Sequence, residues 1–350
     1  MRFLNKYADS FFYVYADCVP VKGYQRSTLN DLSKKQIHFI PNSYYPLFDA
    51  FRKYTIREIC SFFETGADQD NFSAFLDFLL ANNLGTFVND VSLFPPIEME
   101  WDHPSFITNA IIDCNSQLHD FAEIFNQLNE LGCKNCQVRC YHELPVHEIE
   151  LIVKAMPQTA SFQGMELYLK YTPDLTEEVL RSLVNNYKML TLLVVHSAPQ
   201  DEVLLSEWHD DGMPTGKILL IKQMISSCDS CGIINLRSFH VPDVKGFAES
   251  MKFNSCLNRK ISVDVDGAIK NCPSMKRSFG NIKDTTLRQA LTHPDFAIAG
   301  NINKDQVKVC CDCELRYVCT DCRAYLSDND DAYSKPAKCS YNPYTAVWES

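Results

Sequence analysis

Residues 106–142 read FITNAIIDCNSQLHDFAEIFNQLNELGCKNCQVRCYH and decide the fold of the central part of the chain. The run FITNAIIDC has the apolar character and length of a buried strand. The run LHDFAEIFNQLNELG has the spacing of an amphipathic helix that ends at Gly132, and CQVRCYH returns to a strand pattern. Because a strand, a crossover helix and a second strand form a parallel pair, we expect a parallel sheet covered by helices.

The same alternation continues to about residue 225. VHEIELIVKAM (146–156) and the segment from Thr176 to Tyr187 are predicted helices, and strands are predicted at FQGMELYLKY, LTLLVVHSA and KILLIKQMI. These units are too few for an eight-fold barrel. We therefore expect residues 105–250 to form an α/β domain, either an open sheet or a degenerate partial (β/α) barrel.

A smaller module is predicted over residues 1–92. Short extended runs fill residues 11–40, helical stripes follow over 44–80, and GTFVND (85–90) is typical of a closing strand. This order and size favour a winged-helix module, and SLFPPIEMEWDHP (92–104), with two adjacent prolines, is the predicted linker.

Composition excludes several functional classes. The 350 residues are 46% hydrophobic with a net charge of -11, which is typical of a globular chain and not of a disordered one. No segment is basic enough to follow a phosphate backbone, so we expect no nucleic-acid partner. There is no apolar run of the roughly 20 residues that a membrane helix needs, and acidic residues interrupt the N-terminal segment. We expect a cytoplasmic chain without a membrane partner.

Sixteen cysteines are the unusual feature, and eight of them fall between Cys256 and Cys339. Cys256 and Cys272 flank a predicted hairpin whose turn at Asp266-Gly267 brings them to one end of a β-ribbon. The remainder of the tail reads Cys310-x2-Cys313-x5-Cys319-x2-Cys322 and ends with Cys339. Soft thiolates select zinc or iron–sulfur clusters, and a reducing compartment disfavours disulfides.

This cysteine pattern resembles the SPASM domain that follows many radical-SAM peptide-modifying enzymes. The strings SCLNRKISVDVDGAIKNCPSM, CELRYVCTDCRAYL and YSKPAKCSYNPYTAVWE resemble the SPASM-domain peptide maturases of grasp-with-spasm systems. The resemblance implies a SPASM iron–sulfur domain at 251–350 and a part in RiPP biosynthesis, the maturation of a ribosomally made peptide. It also implies a precursor peptide and an ATP-grasp ligase as partners.

The resemblance further implies two sets of cluster ligands. Cys310, Cys313, Cys319 and Cys339 match the complete set of one [4Fe–4S] cluster, and Cys256, Cys272 and Cys322 match three ligands of a second. Fully ligated relatives have an additional cysteine between the first two, which this chain lacks. The second site then has an open iron, a ligand such as Cys311, or no cluster. Zinc in place of the clusters is the alternative.

The chain lacks the C-x3-C-x2-C motif with which radical-SAM enzymes hold their catalytic cluster. Cys114 stands alone after the first predicted strand of the sheet. We therefore expect no S-adenosylmethionine cluster, and the catalytic residues are unknown. An iron–sulfur enzyme without radical-SAM cleavage and a non-catalytic, precursor-binding adaptor or escort protein both stay open.

Four other groups are interpreted as packing or surface residues. Cys133-x2-Cys136-x3-Cys140 has the reversed spacing and is predicted to be buried in a strand. Cys228-x2-Cys231 is interpreted in the same way, with a redox pair as the alternative. His142, Glu143 and His147 are predicted on the surface, and His209, Asp210 and Asp211 in a solvated turn.

The N-terminal module suggests how a peptide would bind. QIHFI (36–40) is the predicted edge strand, and a leader strand could pair with it while its apolar residues dock against the Phe72–Leu80 helix. A small domain that only packs against the sheet is the alternative.

Overall fold

A computed structural model describes residues 4–157, 162–204, 216–235, 239–321 and 323–349. The described part is a mixed α/β fold with one large sheet and three small ones. Among the described residues, no helix combines the length and the apolar character needed to span a membrane.

The N-terminal module has two small sheets and a helical layer. Its elements are α1 (Leu4–Tyr7), β1 (Phe11–Val14), β2 (Cys18–Lys22), β3 (Arg26–Asp31), β4 (Gln36–Pro41), α2 (Leu47–Ala50), α3 (Ile56–Ser61), α4 (Gly66–Ala81) and β5 (Gly85–Val88). Strands β2, β3 and β4 form an antiparallel meander, and β1 pairs with β5. Thr55 begins α3 with a capping box, and Thr65 caps α4. The buried face of α4 (Phe72, Phe75, Leu76 and Leu79) packs into the core of this module.

The large sheet occupies the middle of the chain. Its elements are β6 (Asn109–Asp113), α5 (Phe121–Glu130), β7 (Asn135–Arg139), α6 (Val146–Lys154), β8 (Gly164–Lys170), α7 (Glu177–Asn186), β9 (Leu190–His196), β10 (Glu202–Leu204), β11 (Lys217–Leu220) and α8 (Val244–Lys252). Gly132 adopts a φ of 75° directly after α5, a left-handed conformation that favours glycine at a helix end. Thr176 caps α7 as its position predicts.

The tail adds its first hairpin to the same sheet. Strand β12 (Lys260–Val263) pairs in parallel with β6, and β13 (Ile269–Lys270) pairs antiparallel with β12. The strand order is β10-β11-β9-β8-β7-β6-β12-β13, with parallel pairing from β11 to β12. Gly267 has a φ of 81° in the predicted hairpin turn. After α9 (Leu287–Leu291), the tail consists of short turns and one small hairpin, β14 (Tyr341–Asn342) with β15 (Val347–Trp348).

The predicted α/β class and the mostly parallel sheet are confirmed. Strand β10 and helix α8 were not predicted, because β10 is three residues long and α8 has only three buried residues. The tail also packs against the N-terminal module, since Val21 and Leu32 share one apolar cluster with Leu315, Val318 and Tyr341. Parts that are distant in sequence therefore meet around the cysteines of the tail.

Candidate metal centres

The tail cavity is one small cavity that four predicted ligands line together. Cys310, Cys313, Cys319 and Cys339 all border it, although they lie up to 29 residues apart. The remaining lining residues are Phe239, Lys304, Val309, Arg316, Lys335, Pro336, Tyr341 and Pro343. Cysteine thiolates are the ligands of iron–sulfur clusters, so the residue types that line this cavity have the donor chemistry of such a site.

Short turns position these cysteines. Cys310 begins a 3₁₀ turn, and its carbonyl oxygen accepts from the N–H of Cys313 at 3.0 Å. The N–H of Leu315 donates to the Cys313 sulfur at 3.4 Å, the kind of contact that stabilises a thiolate. Val309 precedes them with a φ of 67°, a strained conformation for a β-branched residue that costs on the order of 1–3 kcal/mol. Packing of the cysteine turns must offset this strain.

A buried lysine faces the tail cavity. Lys304 is only 5% exposed, and its Nζ lies 3.6 Å from the Cys319 sulfur and 3.3 Å from Asp321 Oδ2. Burial opposes its charge, but the nearby Cys319, Asp321 and Cys310 raise the pKa of the ammonium above its ordinary value. Asp321 also pairs with the buried Arg323. Lys304 therefore stays positively charged beside the thiols, where it would balance the negative charge of a thiolate-ligated cluster.

The N-terminal module holds two of these cysteines in place. Glu314, which follows Cys313, accepts from Arg26 Nε at 2.7 Å and from the hydroxyl of Tyr341. Its carbonyl oxygen accepts from the Thr28 hydroxyl at 2.9 Å. Arg26 and Thr28 of β3 therefore anchor Glu314, next to Cys313, and Glu314 in turn contacts Tyr341, two residues after Cys339.

Burial disfavours the charged form of three thiols of the tail cavity, those of Cys310, Cys313 and Cys319. It raises the pKa of Cys310 to about 11, with Lys304 acting in the opposite direction. Burial likewise raises the pKa of Cys313 and of Cys319. A metal that binds here must displace these protons.

A second group of cysteines lies beside the hairpin of the tail. Cys256 and Cys272 pack in one apolar cluster with Leu257, Met275, Ala299 and Ala324. Lys260 Nζ lies 3.6 Å from the Cys256 sulfur, so a cation also adjoins this pair. Cys322, the third predicted ligand, lies outside the described residues. We call Cys256 and Cys272 with their surroundings the hairpin site.

The prediction for Cys228 and Cys231 was wrong. Neither belongs to a core: Cys228 is half-buried and Cys231 is exposed, and the described residues 232–235 form no regular strand. The apolar residues Ile233 and Ile234 suggested a strand, but only Ile234 bridges to Cys339. The loop instead lies against the tail, where tertiary hydrogen bonds override the local pattern.

The carboxyl edge of the sheet carries a buried polar group that was not predicted. Arg139, at the end of β7, pairs with Asp113 at the end of β6, with Nη2 and Oδ1 2.6 Å apart. The Tyr141 hydroxyl donates to the same oxygen at 2.9 Å. Strand ends at this edge are where ligands of parallel α/β proteins usually bind.

The remaining cysteines of the sheet are core residues. Cys133, Cys136 and Cys140 are almost fully buried in the main core, as predicted, and Cys114 is buried with them. Burial raises the pKa of Cys133 to about 12. Burial raises the pKa of Cys136 as well, and that of Cys140 is also raised, so Cys133, Cys136 and Cys140 are neutral packing groups at ordinary pH.

The structure also locates the other predicted residues. His142, Glu143 and His147 are exposed, which confirms the prediction of a surface position. Cys311 is exposed too. His209, Asp210 and Asp211 lie outside the described residues. Within the described ranges, no three His, Cys, Asp or Glu side chains form a group that could hold a single metal ion.

Solved structures that are similar to this chain include two of one protein. Streptococcus suis SuiB bound to S-adenosylmethionine is 11% identical with a TM-score of 0.31, over 90% of this chain and 94% of that one. SuiB bound to precursor peptide SuiA is 10% identical with a TM-score of 0.30, over 89% and 96%. Likeness at these scores assigns neither fold nor function. No protein-family model matches the chain, and no curated protein matches it.

Proposed function

We propose that this chain is a SPASM-domain peptide maturase of the grasp-with-spasm type. It takes part in the post-translational maturation of a ribosomally made peptide, together with an ATP-grasp ligase. Up to two [4Fe–4S] clusters are its cofactors, one in the tail cavity and one in the hairpin site. The observation that carries the proposal is the tail cavity, which four cysteines line beside the charged Lys304.

The residues of the tail define what a cluster would do there. Cys310, Cys313, Cys319 and Cys339 would hold it, and Lys304 would balance its charge. A cluster of this type supplies electron transfer and folding stabilisation to a segment that has few apolar runs of its own. Arg26 and Glu314 fix the ligand turns to the N-terminal module, which couples cluster binding to the position of that module.

The edge of β4 supports the proposed peptide site. Among the described strands, β4 pairs only with β3. The N–H of Gly23 donates to the Arg26 carbonyl, so the backbone N–H and C=O of Arg26 point towards the β2 side of β3. The backbone groups of successive residues point to opposite sides of a strand, so those of Thr28 point towards β2 as well. In the register of β3 with β4, Phe39 pairs with Thr28, which also faces β2. The N–H and C=O groups of Phe39 therefore point to the outer edge, where a leader strand would add.

Helix α4, which was expected to receive apolar leader residues, instead packs its apolar face into the core of the N-terminal module. Phe72, Phe75, Leu76 and Leu79 are buried in the core of the module. Side chains of a leader would instead meet Phe39 itself, which is 43% exposed, and the Arg26 guanidinium above its ring. We propose this strip of β4 as the leader contact.

Fluorescence anisotropy with labelled precursor peptide tests the peptide site. Phe39→Pro removes an N–H that faces outward, so we expect a folded protein with at least tenfold weaker binding. Phe39→Ala keeps that N–H and controls for the side chain. His38→Pro, whose N–H faces β3, should instead destabilise the module. Unchanged binding by a folded Phe39→Pro chain would contradict the proposed leader site.

An adaptor without catalysis is the second candidate function. The observation that favours it is Cys114, which stands alone after β6 and is only 1% exposed. We predict no reductive cleavage of S-adenosylmethionine by the reconstituted protein in the presence of a reductant. Formation of 5′-deoxyadenosine above a no-protein control would contradict this prediction and exclude the adaptor.

A further inference from the structure

The two outer edges of the β2-β3-β4 meander offer different groups to a partner strand. Because the N–H of Gly23 bonds to β3, the alternation along β2 places the backbone groups of Cys18, Pro20 and Lys22 at the outer edge. Pro20 has no N–H, and the N–H of Cys18 is bonded within the turn that precedes β2. The carbonyl of Lys22 accepts from Arg316 Nη1 at 2.6 Å. The β2 edge is therefore closed to a further strand, and β4 is the open edge of this meander.

An exposed group of aromatic side chains lies beside Phe39 of β4. The Arg26 guanidinium, 3.8 Å from the centre of the Phe39 ring, also donates to the Tyr341 hydroxyl at 3.2 Å. Tyr341 begins the small β14–β15 hairpin, and Tyr344 lies in the turn of that hairpin. The rings of Tyr344 and Tyr24 are 4.9 Å apart in an edge-to-face arrangement. We call Phe39, Tyr24 and Tyr344 the aromatic patch.

Two distant parts of the chain hold the aromatic patch. Tyr24 belongs to the turn between β2 and β3, and its N–H donates to the Asp312 carbonyl at 2.8 Å. The Tyr344 hydroxyl donates to Asp312 Oδ2 at 2.9 Å. Asn42, which directly follows β4, donates to the Tyr24 carbonyl at 2.7 Å. The N-terminal module and the tail thus fix the patch together, at the end of β4.

The tyrosines of the patch are exposed although they are held in place. Tyr24 is 62% exposed and Tyr344 is 40% exposed. Aromatic side chains that are already positioned lose little conformational entropy on binding, and exposed apolar patches mark interaction sites. The adjacent cation is already paired, because Arg26 Nε lies 2.7 Å from Glu314 Oε1. The patch therefore favours an aromatic or aliphatic partner side chain over an acidic one.

We propose that the aromatic patch binds an apolar side chain of the precursor peptide, next to the segment that pairs with β4. The proposal rests on the proposed function, because its occupant is the peptide whose strand adds to β4. The open edge of β4 argues for this occupant: it accepts an extended chain, and such a chain reaches the end of β4, where the patch lies. The N-terminal module and the tail then bind one peptide jointly.

Hydroxyl-radical footprinting of the wild-type chain tests this assignment without a substitution. Oxidation of each side chain is quantified by mass spectrometry, with and without saturating synthetic precursor peptide. We expect oxidation of Tyr24 and Tyr344 to fall at least threefold on binding, while Tyr333, 44% exposed in another turn of the tail, stays unchanged. Protection of Phe39 without protection of Tyr24 and Tyr344 would overturn this inference and leave the leader site on β4 intact.

Paired variants provide a second test, by fluorescence anisotropy with the labelled precursor. We expect Tyr24→Ala and Tyr344→Ala each to weaken binding at least fivefold, and the double variant to lose less than the product, because the two rings contact each other. Tyr333→Ala is the matched control and should bind like the wild type. Unchanged binding by folded Tyr24→Ala and Tyr344→Ala would overturn the inference alone. Absence of binding by the wild type would overturn the proposed function with it.

A second copy of the chain is the competing occupant of the patch. Analytical ultracentrifugation of the peptide-free chain distinguishes it from the peptide. We expect Tyr24→Ala to leave the oligomeric state of the chain unchanged. A dimer that Tyr24→Ala dissociates would assign the patch to a contact between copies and overturn the inference.

Discussion

The sheet and the tail place their cysteines in different surroundings. Cys133, Cys136 and Cys140 lie among the apolar side chains of the main core. Cys310, Cys313, Cys319 and Cys339 border a cavity that also contains a charged lysine. The comparison teaches that burial alone does not define a structural cysteine. What distinguishes the tail is that four cysteines line one cavity with a lysine beside them.

Replacing one cysteine in each region should give the largest contrast. We expect Cys319→Ser to lose about four iron atoms, half of a full load, and to unfold the tail, because metal binding supplies its folding free energy. Cys136→Ala should keep all iron and lose about 1 kcal/mol of stability from packing. Iron analysis and thermal unfolding measure both effects. Equal iron in the two variants would show that the tail cavity holds no metal.

Removal of the metal should make the tail, and not the sheet, sensitive to protease. After treatment with a chelator, we expect trypsin to cleave the tail at least tenfold faster, at sites such as Lys308 and Arg316, while the sheet stays resistant. The sheet has a large apolar core, and the tail depends on short turns. Mass spectrometry of the fragments gives the cleavage sites. Equal protection of the tail before and after stripping would contradict a folding role for the metal.

The sequence predicted the sheet well because its strands and helices each have a clear apolar period. It also predicted the set of cysteines that now line the tail cavity. It did not predict Lys304, Arg139 or the place of Cys231. These depend on contacts across many residues, such as Lys338 with Cys231, and a local pattern has no signal for them. A lone lysine within a polar segment is normally exposed.

Substituting the buried lysine should shift the reduction potential of the tail cluster. Loss of a positive charge disfavours the more negative reduced state, so we expect Lys304→Met to lower the potential by about 59 mV, a tenfold change for one electron. Lys308→Met is the matched control, because Lys308 is an exposed lysine paired with Asp331. Protein-film voltammetry gives both values. An unchanged potential in a folded Lys304→Met chain would exclude its role in balancing charge.

Loading of the tail cavity should depend on pH in a defined direction. The pKa of Cys310 is raised to about 11, so its thiol is protonated at neutral pH and must lose a proton to bind metal. Apparent affinity for zinc as a probe should therefore rise with pH, by about tenfold per pH unit for each proton released. Competition with a chromophoric chelator measures this slope. A flat profile would show that these thiols are not the ligands.

The iron and acid-labile sulfide content of the whole chain tests the central claim most directly. After anaerobic reconstitution, two [4Fe–4S] clusters predict about eight iron and about eight sulfide per chain. Zinc should be absent when iron and sulfide are supplied. Stoichiometric zinc without sulfide would contradict the account.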